Sequence, residues 1–278
     1  MEKLDPRLNA YRRDLADERL RSKVDAARFV KGESARICVA VASVFKAADV
    51  SASQLTQALF GELVSVFEVI NGWAWVQLSR DGYVGYVQES ALSAPTDTPT
   101  HYVSNICTIA FPNADIKTQP ARQFYQGSEL KIVDKQGAFA LLQGAGAVHA
   151  AHLSPIDIYE KDFVAVAERF LNVPYYWGGK TLVGLDCSGL VQISLQATGV
   201  EALRDSDMQE NTLGEAVADH NKLTRGDLVF WPGHVGIMQS PTQLLHANGH
   251  HMKVTSELLS EVTARSDKPI SSIRRFTI

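Results

Sequence analysis

The sequence predicts an α+β protein of several domains, with two small β-barrels ahead of a domain in which helices precede a meander of strands. Three observations predict this. The chain has 278 residues, a length that favours two or more cores over one. Its first half reads as short β segments punctuated by Asn-Gly and Asp-Gly turns. From Asp162 onward, apolar residues recur at helical spacing before the strand pattern returns.

Residues 1–33 form a charged lead-in. Leu15, Leu20, Val24 and Phe29 fall at roughly helical spacing, so the segment is expected to be helical or strap-like. Residues 34–94 read as a first barrel. Leu63 to Ile70 is a Val-rich strand, Asn71-Gly72 a turn, Trp73 to Leu78 another strand, and Asp81-Gly82 leads into Tyr83 to Val87. Pro95 and Pro99 bracket a linker over Thr96 to Thr100. The same grammar then returns, more weakly, over 95–157. Gly61-Glu62-Leu63 finds an echo in Gly127-Ser128-Glu129-Leu130, and the two glycines lie 127 − 61 = 66 positions apart. A duplicated β domain is expected from that period, against the plainer alternative of two unrelated β stretches.

Residues 158–278 change character. Phe163, Val166, Ala167, Phe170 and Leu171 mark one face of a helix that ends before Pro174. A second helix is expected from Cys187 to Thr198, stopped by Gly199. Strand-like runs follow at Asp227 to Trp231, His234 to Gln239, Gln243 to Ala247 and Met252 to Thr255.

The chemistry concentrates in this last region. A Cys in the first turn of a helix lies beside free backbone N–H groups and the positive end of the helix dipole, which favour thiolate over thiol. The same N–H groups can hold an oxyanion. Gly178, Gly179 and Gly189 allow close backbone approach around Cys187. A lone Cys is more often a buried small hydrophobe, but Asp186 and Ser188 make polar company for this one. A thiolate needs a base, and His234 opens an apolar strand directly after Trp231-Pro232-Gly233. His246 falls on the next strand, where it can fix the tautomer of His234 as the third member of a triad does. His246, His250 and His251 also cluster, but Asn248-Gly249 breaks any helix there and no Glu accompanies them in that motif, so no metal is expected.

Pro174-Tyr175, Trp177-Gly178-Gly179, Asp186-Cys187-Ser188-Gly189, Gly233-His234-Val235-Gly236 and His246 together resemble the NlpC/P60 cysteine peptidases. The resemblance implies a papain-like catalytic domain with Cys187 as nucleophile, His234 as base and acid, His246 as orienting residue and Tyr175 beside the oxyanion. The two upstream β domains resemble bacterial SH3 (SH3b) modules, on Trp73, Asp81-Gly82-Tyr83 and Gly85-Tyr86. The second copy is degenerate and lacks the Trp.

The combination is similar to the γ-D-glutamyl-L-diamino acid endopeptidases. These cut between D-Glu and meso-diaminopimelate or Lys in cell-wall peptides with a free N-terminal L-Ala. By that resemblance Asp186, Ser188, Trp177, Asp205, Ser206, Tyr83 and Tyr86 line the substrate, and Asp186 supplies charge for its ammonium group. Two rivals remain: an amidase or acyltransferase of the papain-like clan, and a non-catalytic peptidoglycan-binding protein.

Composition closes off other classes. A net charge of −4 leaves no basic footprint for nucleic acid or an anionic membrane. Met1 to Arg21 lacks the apolar core of a secretory leader. Ile37 to Phe45 is far short of the ~18 residues a membrane span needs. Cys38, Cys107 and Cys187 are odd in number and widely spaced, so neither a disulfide framework nor a zinc pattern is expected. A cytoplasmic enzyme in peptidoglycan recycling, without cofactor and with a cell-wall peptide as its partner, is the expectation.

Overall fold

The computed structural model describes residues 4–95, 97–144, 146–219 and 222–276. The chain divides into two compact units, 1–157 and 158–278. Part of the expected Thr96–Thr100 linker lies outside the described residues.

The lead-in is a strap rather than an α-helix. Leu15–Asp17 pairs in parallel with Arg28–Val30, and a single 3-10 turn, Glu18–Leu20, follows the first of these strands. Leu15, Ala16 and Asp17 are buried in succession, which no helical stripe would produce. Packing decided this: Ala10 and Leu15 join Phe67, Trp75 and Val84 in one apolar cluster, and tertiary burial overrides a loose helical spacing.

The first β body is a seven-stranded antiparallel sheet. Its order is Gln54–Leu59, Val41–Phe45, Val84–Gln88, Trp73–Leu78, Leu63–Ile70, Glu33–Ile37 and Leu92–Ser93. Asn71 and Gly72 both take positive φ, 50° and 78°, as their turn requires. Trp73 packs edge-on against Phe45, with ring centroids 5.5 Å apart.

The second body repeats this order in two pieces. Arg122–Tyr125, Cys107–Phe111, Gly146–His149, Phe139–Leu142 and Ile132–Gln136 form one sheet, and Glu129–Leu130, His101–Val103 and Leu153–Pro155 the other. Each body has a register shift in the first strand of its central hairpin, at Val66/Glu68 and at Ile132/Asp134. Each also inserts a 3-10 turn between its last two strands, Glu89–Ala91 and Ala150–His152. Phe60 of the first body stacks on Phe124 of the second at 4.7 Å. Arg80 lies between Glu62 (3.2 Å) and Glu129 (2.8 Å).

The second unit holds four helices among the described residues: α1 (Phe163–Glu168), α2 (Cys187–Ala197), α3 (Ser206–Thr212) and α4 (Leu259–Arg265). Asp162 caps α1 by accepting from the N–H groups of Val164 and Ala165. Phe163, Val166 and Ala167 are buried on α1 and Phe170 just past its end, whereas Leu171 is 46% exposed. A six-stranded antiparallel sheet runs in the order Glu215–Ala216, Ser272–Arg275, Leu228–Trp231, His234–Met238, Gln243–Asn248 and Lys253–Leu258. Helices α3 and α4 and the strand Ser272–Arg275 go beyond the sequence reading. They are short, and their apolar residues are too few for a period to stand out. Helix α2 is buried almost all round, packed on α1 and on the strands of His234 and His246.

Candidate active site

The site begins where a strand-like segment hands over to α2. Tyr175 bridges Leu185 in parallel, and its N–H donates to Met252 O at 2.9 Å. Gly178, at φ 74°, then turns the chain. Asp186 caps α2 through Oδ1, which accepts from Gly189 N at 2.7 Å. Its Oδ2 accepts from Gly178 N at 2.8 Å and from Arg204 Nη2 at 2.6 Å. Arg204 Nη1 donates to Ser188 Oγ at 2.8 Å, and Gln209 Nε2 donates to Ser188 O at 3.0 Å.

This network gives both residues flanking Cys187 a structural task. Asp186, 6% exposed and expected to meet a substrate ammonium, is paired with Arg204, and both its oxygens hold backbone in place. Ser188 is buried in the same network. Both residues position the helix start. Arg204, 1% exposed, is a buried cation beside the helix start.

Cys187 occupies the first position of α2, 8% exposed. The backbone N–H groups of Val235 and Ser188 both act on its sulfur, so the thiol lies beside the strand that opens with His234. That strand is entered through Trp231-Pro232-Gly233-His234, where Pro at the second position and Gly233 at φ 84° suit a tight turn.

On the sheet, Ile237 pairs with Leu245 and Met238 with Leu244. Continuing that register sets His234 opposite Asn248, so His246 is its diagonal neighbour on the same face. The rings meet there, His234 Nε2 to His246 Nδ1 at 2.8 Å. On the next strand His246 pairs with Thr255, and Glu257 lies two residues further on the same face. His246 Nε2 reaches Glu257 Oε1 at 2.7 Å, and Arg265 and His251 approach Oε2 of the same carboxylate. A line of contacts therefore runs from the His234 strand to α4.

Electrostatics set the resting protonation. Burial, with the nearby Asp186 charge, pushes the Cys187 thiol up to about 12, against the opposing N–H groups of Val235 and Ser188. This reverses the sequence expectation of a low-pKa thiolate: the helix N-terminus is present, but desolvation outweighs it. Burial also takes His234 down to about 3, helped by His246 and Arg265. His246 is lowered as well, chiefly by burial, with Glu257 opposing. Burial works against ionising Glu257, yet hydrogen bonds from Arg265 and His246 hold its carboxyl at about 2. The resting site is a neutral thiol and two neutral imidazoles backed by a carboxylate.

The remaining candidates have separate places. Tyr175 is half-buried, and burial, Cys187 and Asp186 all raise its phenol. Trp177 is 64% exposed. Asp205 and Ser206 begin α3 and are half-buried, and the Asp205 side chain makes no capping bond. Tyr83 and Tyr86 belong to the first unit. Tyr83 is 2% exposed, and the Tyr86 hydroxyl accepts from Arg12 Nη1 at 2.8 Å. Glu257 and Arg265 escaped sequence reasoning altogether. The signal was there: a strand continued past Thr255 sets Glu257 on the face of His246.

Residues 172–267 match the NlpC/P60 family, and residues 44–92 match the bacterial dipeptidyl-peptidase SH3 domain. The chain is a cysteine peptidase of the NlpC/P60 family. Its relatives include dipeptidyl-peptidase 6 of Lysinibacillus sphaericus, 27% identical over 252 residues, covering 80% of this chain and 91% of that one. The γ-D-glutamyl-L-lysine dipeptidyl-peptidase of Bacillus subtilis is 26% identical over 244 residues, covering 79% and 80%. An NlpC/P60 family protein from Bacillus cereus has a similar fold, with a TM-score of 0.76 at 21% identity over 88% of this chain and 99% of that one. This NlpC/P60 peptidase thus combines an SH3-like domain with a catalytic domain of mixed helices and strands. None of its described helices is long and apolar enough to cross a membrane.

Proposed function

We propose that this NlpC/P60 peptidase hydrolyses the γ-D-Glu–diamino acid bond of cell-wall muropeptides that carry a free N-terminal L-Ala. The diamino acid is meso-diaminopimelate or Lys. The observation that carries this reading is the arrangement of Cys187 at a helix start beside the hydrogen-bonded His234–His246 pair. The name of the Bacillus subtilis relative, a γ-D-glutamyl-L-lysine dipeptidyl-peptidase matched over 80% of its length, supports the substrate class.

On this reading Cys187 attacks the γ-carbonyl while His234 takes its proton. Backbone N–H groups at the start of α2, with Tyr175, hold the oxyanion. His234 returns the proton to the leaving amine, and water then releases the acyl group. His246 orients His234. Trp177, Asp205 and Ser206 contact the peptide. The second β body is a diverged copy of the SH3-like first, consistent with the shared strand order. A requirement for a free N-terminus suits released fragments, so the enzyme acts in peptidoglycan recycling in the cytoplasm.

Incubating the purified protein with L-Ala-γ-D-Glu-meso-diaminopimelate should release diaminopimelate, and N-acetylating the Ala should slow that release severely. Cys187→Ala should abolish it. Full turnover by Cys187→Ala, or indifference to N-acetylation, would overturn the reading.

A further inference from the structure

The geometry points to Glu257 as a positioning residue that sets the tautomers of both His246 and His234, leaving Nδ1 of His234 as the proton acceptor. The inference rests on the reading of Cys187 and His234 as nucleophile and base, and adds to it the group that orders them. Three contacts in series fix where each proton sits. An ionised carboxylate can only accept a hydrogen bond. Glu257 is held ionised by Arg265, so His246 Nε2, 2.7 Å away, must carry a hydrogen.

A neutral imidazole carries one hydrogen and one bare nitrogen. Burial keeps His246 neutral, so its Nδ1 is bare and accepts. The group facing that nitrogen at 2.8 Å is Nε2 of His234, which must therefore donate. His234 is neutral too, and its single hydrogen is now assigned. Nδ1 is left bare, and on the proposed reading it is the atom that takes the proton of Cys187.

During attack the S–H bond breaks and the proton goes to His234 Nδ1. His234 becomes imidazolium and keeps donating from Nε2 to His246. No proton has to leave His246, whose Nε2–H continues to face Glu257. The carboxylate opposes the new positive charge from one ring away. The other charged or titratable groups around it are Arg265, which donates to both oxygens of Glu257, and His251, which meets Oε2.

Without Glu257, nothing on the lysine-to-leucine strand at 253–258 would distinguish the two nitrogens of His246, and Arg265 would be left facing its ring. Part of the neutral population would then present a bare Nε2, a protonated Nδ1 and a mismatched His234.

Nitrogen-15 NMR of histidine-labelled resting protein, assigned with His234→Gln and His246→Gln, reads this directly. Both rings should be Nε2–H tautomers in the wild type; an Nδ1–H tautomer on either ring overturns the inference. Glu257→Gln should mix the tautomers and lower kcat roughly 10- to 1000-fold with KM little changed, below the roughly 10⁴-fold cost of a wholly wrong tautomer in a triad. Thermal unfolding checks that the variant is folded. Glu257→Asp, which keeps the carboxylate, should retain more of both the tautomers and the rate. In a His246→Ala background Glu257→Gln should cause no further loss, whereas additive losses would overturn the relay. The tautomers are read without substrate, so a wild-type protein that fails to cleave the muropeptide refutes the substrate reading alone.

Discussion

Asp186 and Arg204 form a buried ion pair, Oδ2 to Nη2 at 2.6 Å, directly behind the residue that bears the thiol. The pair joins the cap of α2 to the segment leading into α3. Arg204 also holds Ser188, so one guanidinium steadies the residues on both sides of Cys187.

Removing one partner of such a pair leaves an uncompensated buried charge. Arg204→Met should therefore destabilise the catalytic unit by about 3–5 kcal/mol, read as a lower urea midpoint. Arg204→Lys keeps the charge but cannot reach both Asp186 and Ser188 in one plane. It should recover part of the stability and less of the activity.

Gly189 is tightly enclosed. A Cβ there would stand 2.3 Å from Gly179 O and 2.9 Å from Asp186 Oδ1, both part of the helix start. Gly189→Ala should cost about 1–3 kcal/mol as the backbone gives way. It should also lower kcat by displacing Cys187, which steady-state kinetics would show with the protein still folded.

Burial keeps the Cys187 thiol protonated in the resting enzyme, up to about 12. Iodoacetamide at pH 7 should accordingly label Cys187 more slowly than the partly exposed Cys38 and Cys107, with the rate rising steeply only at alkaline pH. Mass spectrometry of the alkylated peptides measures all three sites. Rapid labelling of Cys187 at pH 7 would mean that the thiolate is already formed before substrate arrives.

Acid should unfold the catalytic unit through the same histidines. His234 titrates near 6.5 when unfolded and at about 3 when folded, so the unfolded chain binds the extra proton between those values. Stability is complete above about pH 6.5 and declines as pH falls toward 3, by on the order of 3–5 kcal/mol from this ring. Glu257, depressed to about 2, adds a loss that begins below its unfolded value near 4.5. His234→Gln should flatten the upper part of this decline in urea melts run from pH 7 to pH 4, and an unchanged slope would assign the effect elsewhere.

Cys187 and the two histidines were legible because they are local signals. A Cys follows a capping Asp, a His follows Pro-Gly at the mouth of an apolar strand, and strand alternation makes His246 its neighbour. The central strands were legible for the same reason: alternation and turn residues act within ten positions. Glu257 was missed because its strand runs on past Thr255, which the alternation allows but does not demand, and Arg204 because its importance depends on burial against a partner 18 positions away. At the N-terminus the choice between helix and strap stayed open for a related reason. Its apolar residues suit a helix or an extended chain about equally, and packing of Leu15 beside Phe67 and Trp75 decided between them.

By itself the sequence determined the alternation of β and α segments, the helix that presents Cys187, and the types of residue available for acid–base work. Tertiary structure alone decided which charges are spent on architecture and how each group is protonated. The physical reason is desolvation. Asp186 carries the same carboxylate in any sequence reading, but once buried against Arg204 it belongs to the fold. Cys187 begins its helix as expected, yet its enclosure favours the proton on sulfur.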